Sequence, residues 1–216
     1  MTLAATGTDS RAVSRSERTR AAILVAAEAL FAERGFAETR LEDVAATVGI
    51  RRASIVYYFA DKPALYDTVL ADVFDGFRAR LEPVLLARRP ILDRALEAVS
   101  TWIDYLAERP ATARLLLREV ADGRSGQEAR IVRHTRAFFE LIGRVVEHEA
   151  DDPLAAGSPV DPVHLASVVA GSTVFFVAAM PALLPGLGFD PLEPTHLEAY
   201  RRELLGTVRR LLGAAS

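Results

Sequence analysis

The sequence predicts an all-α protein: a small unit of three helices at the N-terminal end, followed by a larger helical body. Three observations carry this. Apolar residues recur with helical period along most of the chain, and no run alternates convincingly with period two. Glycine and proline breaks cut the 216 residues into segments of helix length. Half of the residues are hydrophobic and cysteine is absent, so a sizeable core forms without disulfides or thiolate metal sites.

Residues 1–15 read as a flexible polar tail with no apolar signal-peptide core. In 16–34, Ile23, Ala26, Ala27, Leu30 and Phe31 fall at i, i+3, i+4, i+7 and i+8, a helical stripe. Ser16 is its expected N-cap, and Gly35 stops it by accepting positive φ. In "TRLEDVAATVG", Thr39 and Glu42 have capping-box spacing; Leu41, Val44, Ala45 and Val48 form the inward face, and Gly49 ends the helix. A third short helix lies in "RRASIVYYF", with Ile55 and Phe59 one turn apart. Asp61 caps a longer helix that tolerates Pro63 in its first turn. Further helices are expected near 90–108, 110–121, 126–149, 160–183 and 194–212.

Two short helices joined by a tight glycine turn, residues 40–59, describe a helix-turn-helix. Ala45 is small where the helices cross, and Ile50, Ile55 and Phe59 plug the shared core. The outward face of the third helix then carries Arg52, Ser54, Tyr57 and Tyr58, donors suited to base edges and phosphates, with no carboxylate of its own. Net charge is −3, unlike a typical nucleic-acid protein, but it is unevenly spread. Residues 1–66 hold nine basic and eight acidic side chains, the rest seventeen and twenty-one, and no acid lies between Asp43 and Asp61.

Residues 17–66, with "ALFAERGFAETRLEDVAATVGIRRASIVYYFADKPAL" at their centre, resemble the DNA-binding domain of the TetR family. The resemblance covers about a quarter of the chain. It implies a DNA-binding transcriptional regulator, with 16–62 as the DNA-binding domain and 63–216 as a helical ligand-binding and dimerisation domain. It also implies repression relieved by a small molecule, a palindromic operator, and a homodimer whose last two helices pair with a partner. Lys62, the only lysine beside twenty-five arginines, matches the family position that contacts a DNA phosphate. Arg52 and Ser54 fall where the recognition helix enters the major groove, and Tyr58, with Tyr57 beside it, where a hydroxyl meets phosphate. Three departures stand out. Arg51 occupies the usual Ser/Thr cap, Val56 replaces a frequent tyrosine, and Arg40 replaces a Thr/Ser and offers a phosphate contact in its stead. Arg11, Arg15, Arg18 and Arg20 form either a solvated tail or an arm along the DNA. The competing reading is a helical small-molecule binding or interaction protein whose DNA-binding face has decayed.

In the larger part, the 160–183 segment is apolar all round and suits a doubly covered helix. Its uncharged run from Pro162 to Phe189 is long enough for a membrane span, but Pro181, Pro185 and the nearby glycines speak against one. Val168 and Phe175 there, with Leu197, Leu204, Val208 and Leu211 on the last helix, are the dimer-interface candidates; Arg201, Arg202, Arg209 and Arg210 are expected on a solvated face. Trp102, Tyr105, His134, Phe138 and Phe176 are pocket candidates, and the scarcity of charge among them favours an apolar or aromatic effector. The four histidines lack metal-ligand spacing, and no nucleophile set or dinucleotide loop is present, so neither metal, cofactor nor enzymatic activity is expected. The cytoplasm is the expected compartment.

Overall fold

A computed structural model describes residues 14–122, 130–148 and 161–213. These form α1 (Arg15–Glu38), α2 (Leu41–Val48), α3 (Arg52–Tyr58), α4 (Lys62–Leu85), α5 (Ile91–Glu108), α6 (Pro110–Asp122), α7 (Arg130–His148), α8 (Pro162–Ala178), α9 (Met180–Leu183) and α10 (Pro194–Leu211), with a 3₁₀ turn at Pro185–Leu187 and no strand among the described residues. The expected tail lies largely outside them.

The start of α1 departs from expectation. Ser14, not Ser16, is the N-cap: its hydroxyl accepts the Glu17 N–H at 3.1 Å, and the Glu17 carboxylate accepts the Ser14 N–H at 2.7 Å. Serine followed three residues later by glutamate satisfies two end donors at once, which Ser16 has no partner to do. The predicted stripe is the buried face, with Ile23, Ala27 and Phe31 fully covered. Gly35 breaks the helical path at φ +82°, a region that a Cβ disfavours, and the last residues of α1 resume beyond it.

The 160–183 segment is two helices. Pro181 has no N–H to continue the ladder, and the backbone turns at Ala179 between α8 and α9. No helix of the described residues is long and apolar enough to cross a membrane.

Helix α4 is the spine. Its first half buries Leu65, Tyr66, Val69 and Leu70 against α1, and its second half buries Phe77, Leu81 and Leu85 among α5 and α7, in one continuous core. The core therefore does not divide at the expected 62/63 boundary. Helix α6 packs along α1 on one side and α8 on the other. A second cluster joins Val99 and Ile103 of α5 to Leu204 and Val208 of α10.

Candidate nucleic-acid interface

Gly49 lets α2 turn into α3. At φ +75° it lies in the left-handed region; its N–H reaches the Ala46 carbonyl, and the Ile50 N–H reaches that of Ala45 at 3.0 Å. Val44, Ala45, Ile55 and Phe59 are buried, and this packing fixes which side of α3 faces outward. The capping of α2 differs from expectation by one residue. Arg40 is the N-cap, and Asp43, not Glu42, accepts its backbone N–H at 3.1 Å. Thr39 is fully buried, its hydroxyl shared between the Gly35 carbonyl at 2.8 Å and that of Leu30 at 3.2 Å. Thr39 thus fastens the end of α1 and does not cap α2.

On the outward side, Arg51 and Arg40 are exposed and have no ion pair among the described residues. Arg52 is exposed too, but its Nε meets the Glu42 carboxylate at 2.7 Å, so α2 brings a carboxylate to a face expected to lack one. An exposed pair of this kind is worth about 0–1 kcal/mol, a weak hold on the arginine. Tyr57 is 81% exposed and stands edge-on to Tyr58, whose hydroxyl accepts a hydrogen bond from Ser16 at 3.3 Å. Ser54 is half-buried and Val56 is exposed. Arg20 lies over the Phe59 ring and Arg15 and Arg18 are exposed, while Arg11 is outside the described residues. A cleft of about 560 Å³ between α2, α3 and the start of α4 is lined by Arg40, Arg52 and Lys62, with Glu42 and Asp61.

Lys62 is not a free cation. Its Nζ donates to the carbonyls of Phe36 at 2.8 Å, Ala37 at 3.1 Å and Thr39 at 3.1 Å, and lies 4.5 Å from the centre of the Phe36 ring. An ammonium has three N–H donors, and here all three serve the end of α1. The phosphate contact implied by resemblance has no donor left in this arrangement. From the other side, Arg118 of α6 donates to the carbonyls of Ala32 at 2.9 Å and Glu33 at 2.8 Å. Sequence spacing gave no sign of Arg118, because 85 residues separate it from Glu33.

The pocket candidates separate into two groups. Phe77 gathers Trp102, Tyr105 and Phe138 around it at 4.6–5.7 Å between ring centres, and His134 stacks on Phe74 nearby. Phe176 lies apart, stacked on Tyr200 of α10 at 4.1 Å and edge-on to Phe189. Trp102 Nε1 and His134 Nε2 are buried with no hydrogen-bond partner among the described residues. Burial holds the His134 imidazole below its ordinary pKa. The Tyr105 hydroxyl donates to the Val73 carbonyl at 2.7 Å and accepts from Arg109 at 2.9 Å, so it is a structural group; burial pushes its pKa up to about 12. Arg109 also meets Glu28 of α1 at 2.5 Å and Asp72 of α4 at 2.9 Å, and Thr112 donates to the same buried Glu28. Burial disfavours the Arg109 charge, but Glu28, with Asp72 and Tyr105, outweighs it and raises the guanidinium pKa.

The dimer candidates also divide. Leu204 and Val208 are buried within the subunit against Val99 and Ile103, and Leu197 packs on the same cluster. Leu204 and Val208 are therefore covered by α5 and not available to a partner, whereas Leu197 is half-buried. Leu211 is half-buried. Arg201 is not on a solvated face: it reaches Asp104 at 2.5 Å and Glu198 at 3.3 Å. On α8, by contrast, Val168 (39%) and Phe175 (48%) are exposed, so this helix is covered on one side only.

A short glycine-turned helix pair, its second helix presenting arginine and tyrosine to solvent on an otherwise helical body, defines a helix-turn-helix DNA-binding protein. Comparison with known proteins points the same way. Residues 23–69 match the model for bacterial regulatory proteins of the tetR family. The chain is 29% identical over 176 residues to the HTH-type transcriptional regulator RutR of Escherichia coli (strain K12), covering 82% of this chain and 80% of that one. In fold it resembles the fatty acid degradation regulator FadR from Bacillus halodurans (TM-score 0.68, 15% identity, 91% and 99% of the two chains). It also resembles FadR from Bacillus subtilis in complex with stearoyl-CoA (TM-score 0.64, 16% identity, 87% and 96%). Residues 23–69 thus match the tetR family, and over 82% of its length the chain is similar to a transcriptional regulator.

Proposed function

We propose that this regulator is a cytoplasmic repressor that binds a palindromic operator as a homodimer and is released when a small molecule enters its helical body. The observation that carries this reading is the exposure of Arg51, Arg52 and Tyr57 together on and beside α3, with Val56 between them. Arg52 is poised for a bidentate guanine contact once Glu42 is displaced, and the Val56 methyls suit a thymine methyl. Ser54, Tyr57 and Tyr58 offer hydroxyls to bases and phosphates, and Arg40 and Arg51 offer charge to the backbone. These exposed groups support a working DNA-binding face over the decayed-face reading.

Residues 16–62 serve as the DNA-binding domain and 63–216 as the effector and dimerisation domain, with α4 shared between them. The exposed apolar side of α8, around Val168 and Phe175, supports pairing with a second copy. A twofold pair would set its recognition helices about 34–36 Å apart, one turn of duplex DNA. The aromatic group of Trp102, Phe138 and His134 supports an effector with an apolar or aromatic body, and the unpartnered indole N–H suits an acceptor on it. The FadR of similar fold from Bacillus subtilis is in complex with stearoyl-CoA, a ligand with a long acyl chain, which supports an effector with an apolar portion.

An electrophoretic shift of the DNA upstream of the coding region tests this. Arg52→Ala and Tyr57→Ala should each weaken binding, Arg52→Ala by about 1–3 kcal/mol with relaxed preference at one base. Binding indifferent to both substitutions would refute it.

A further inference from the structure

At the end of α4 farthest from Lys62, a second cleft of about 720 Å³ opens between the α4–α5 turn and the last part of α7. Four arginines line it, Arg88, Arg89, Arg94 and Arg144, with no acidic residue among the described lining residues. This is notable in the part of the chain where acids outnumber bases, twenty-one to seventeen. Two of the four are engaged. Arg89 pairs with Glu97 outside the lining, and Arg94, 5% exposed, donates to the Leu85 carbonyl at 2.8 Å and builds the wall. Arg88 and Arg144 are exposed and have no ion pair among the described residues. Like charges brought into one concavity repel unless an anion joins them.

Two further features point to a ligand of mixed character. Helix α5 begins at this cleft with Pro90 as its N-cap, which supplies no side-chain acceptor, so the positive end of an 18-residue helix lies beside the arginines. Asp93 sits in that first turn but not in the lining. The apolar wall is Leu85 and Val145, and Leu85 belongs to the core that runs on through Leu81 and Leu141. We infer that this cleft binds the head group of an amphipathic organic anion, a carboxylate or phosphate gripped by Arg88 and Arg144 with its apolar body along Leu85 and Val145. Guanidinium forks match either head group in two-point contact. The binding site stands on its own residues; its use as the effector site rests on the regulator reading above.

Calorimetric titration of the full chain with decanoate, decyl phosphate and decanol, below any micellar concentration, tests the inference. At least one of the two anions should bind, the tighter identifying the head group, and decanol should bind at least about tenfold more weakly. The double variant Arg88→Gln/Arg144→Gln should lose about 10- to 100-fold in anion affinity, the span of a hydrogen bond to a charged group. Its thermal melting should be unchanged, since both side chains are exposed. The inference is overturned if neither anion binds the parent, if decanol matches them, or if the double variant binds as the parent does. Operator binding without probe, measured on the same variants, separates the two claims. Its absence from the parent refutes the regulator reading and leaves the cleft, whereas failed titrations beside intact operator binding refute the cleft alone.

Discussion

Replacing Lys62 by methionine keeps an apolar stem beside Phe36 and removes the ammonium, so the carbonyls of Phe36, Ala37 and Thr39 lose their shared donor. A hydrogen bond to a charged group contributes about 1.5–3 kcal/mol, and three of them would sum to roughly 5–9 kcal/mol. That sum overstates the loss. The bond to Ala37 is exposed, and water replaces the donor there. Discounting that bond, and taking the lower end of the range for the two part-buried ones, leaves about 3 kcal/mol, with the ring contact adding at most about 1 kcal/mol. For a chain of this size, the melting temperature should fall by about 6–16 °C, at roughly 2–4 °C per kcal/mol. Lys62→Arg should recover only part of this, because a planar fork does not send three donors from one point. Circular dichroism melts give the stability arm, and operator affinity against salt concentration gives the other. A residue occupied with the end of α1 leaves the slope of log K against log salt nearly unchanged. A phosphate contact would lower that slope by about 0.9 per neutralised phosphate. A variant that melts like the parent but shows the reduced slope would refute the reasoning.

Arg109→Met should destabilise the protein by about 3–5 kcal/mol in urea denaturation, because it leaves the Glu28 carboxylate buried without its cation. The His134 pKa is depressed on folding, so as pH falls below about 6.5 the unfolded chain takes up its proton first and stability declines toward the lower folded pKa. His134→Gln should remove that decline from a pH series of denaturation curves. Tyr105 has the opposite sign in alkali. Its contribution is complete below about pH 10 and is lost as pH rises toward about 12, a loss that Tyr105→Phe should abolish. Phe175→Asp, on the exposed side of α8, should yield a monomer in sedimentation with unaltered helicity, whereas Val208→Asp should unfold the chain.

Local pattern made the N-terminal helices legible. The apolar stripe of α1, the positive-φ glycines at 35 and 49, and the Ile55–Phe59 anchor all depend on residues within a few turns of one another. What escaped the sequence depends on distance. Thr39 and Lys62 both carry plausible surface chemistry, and only the return of the chain beside α1 shows their groups turned inward. The stripe of α10 is plain in the sequence, but an apolar stripe does not say which surface it meets; Val208 meets α5 of its own subunit. The four-arginine cleft joins residues 88–94 to residue 144, and no local motif spans that interval.

The carbonyls at the end of α1 are gripped from α4 by Lys62 and from α6 by Arg118, on opposite sides of the Gly35 bend. A fragment ending before residue 62 would lack both clamps and the Tyr66 ring that packs on Phe31 and Phe36. Grafting this reading head onto another regulator's trunk therefore means transplanting α4 with it and supplying a cation where Arg118 stands. Specificity and sensing in this chain are not interchangeable cartridges.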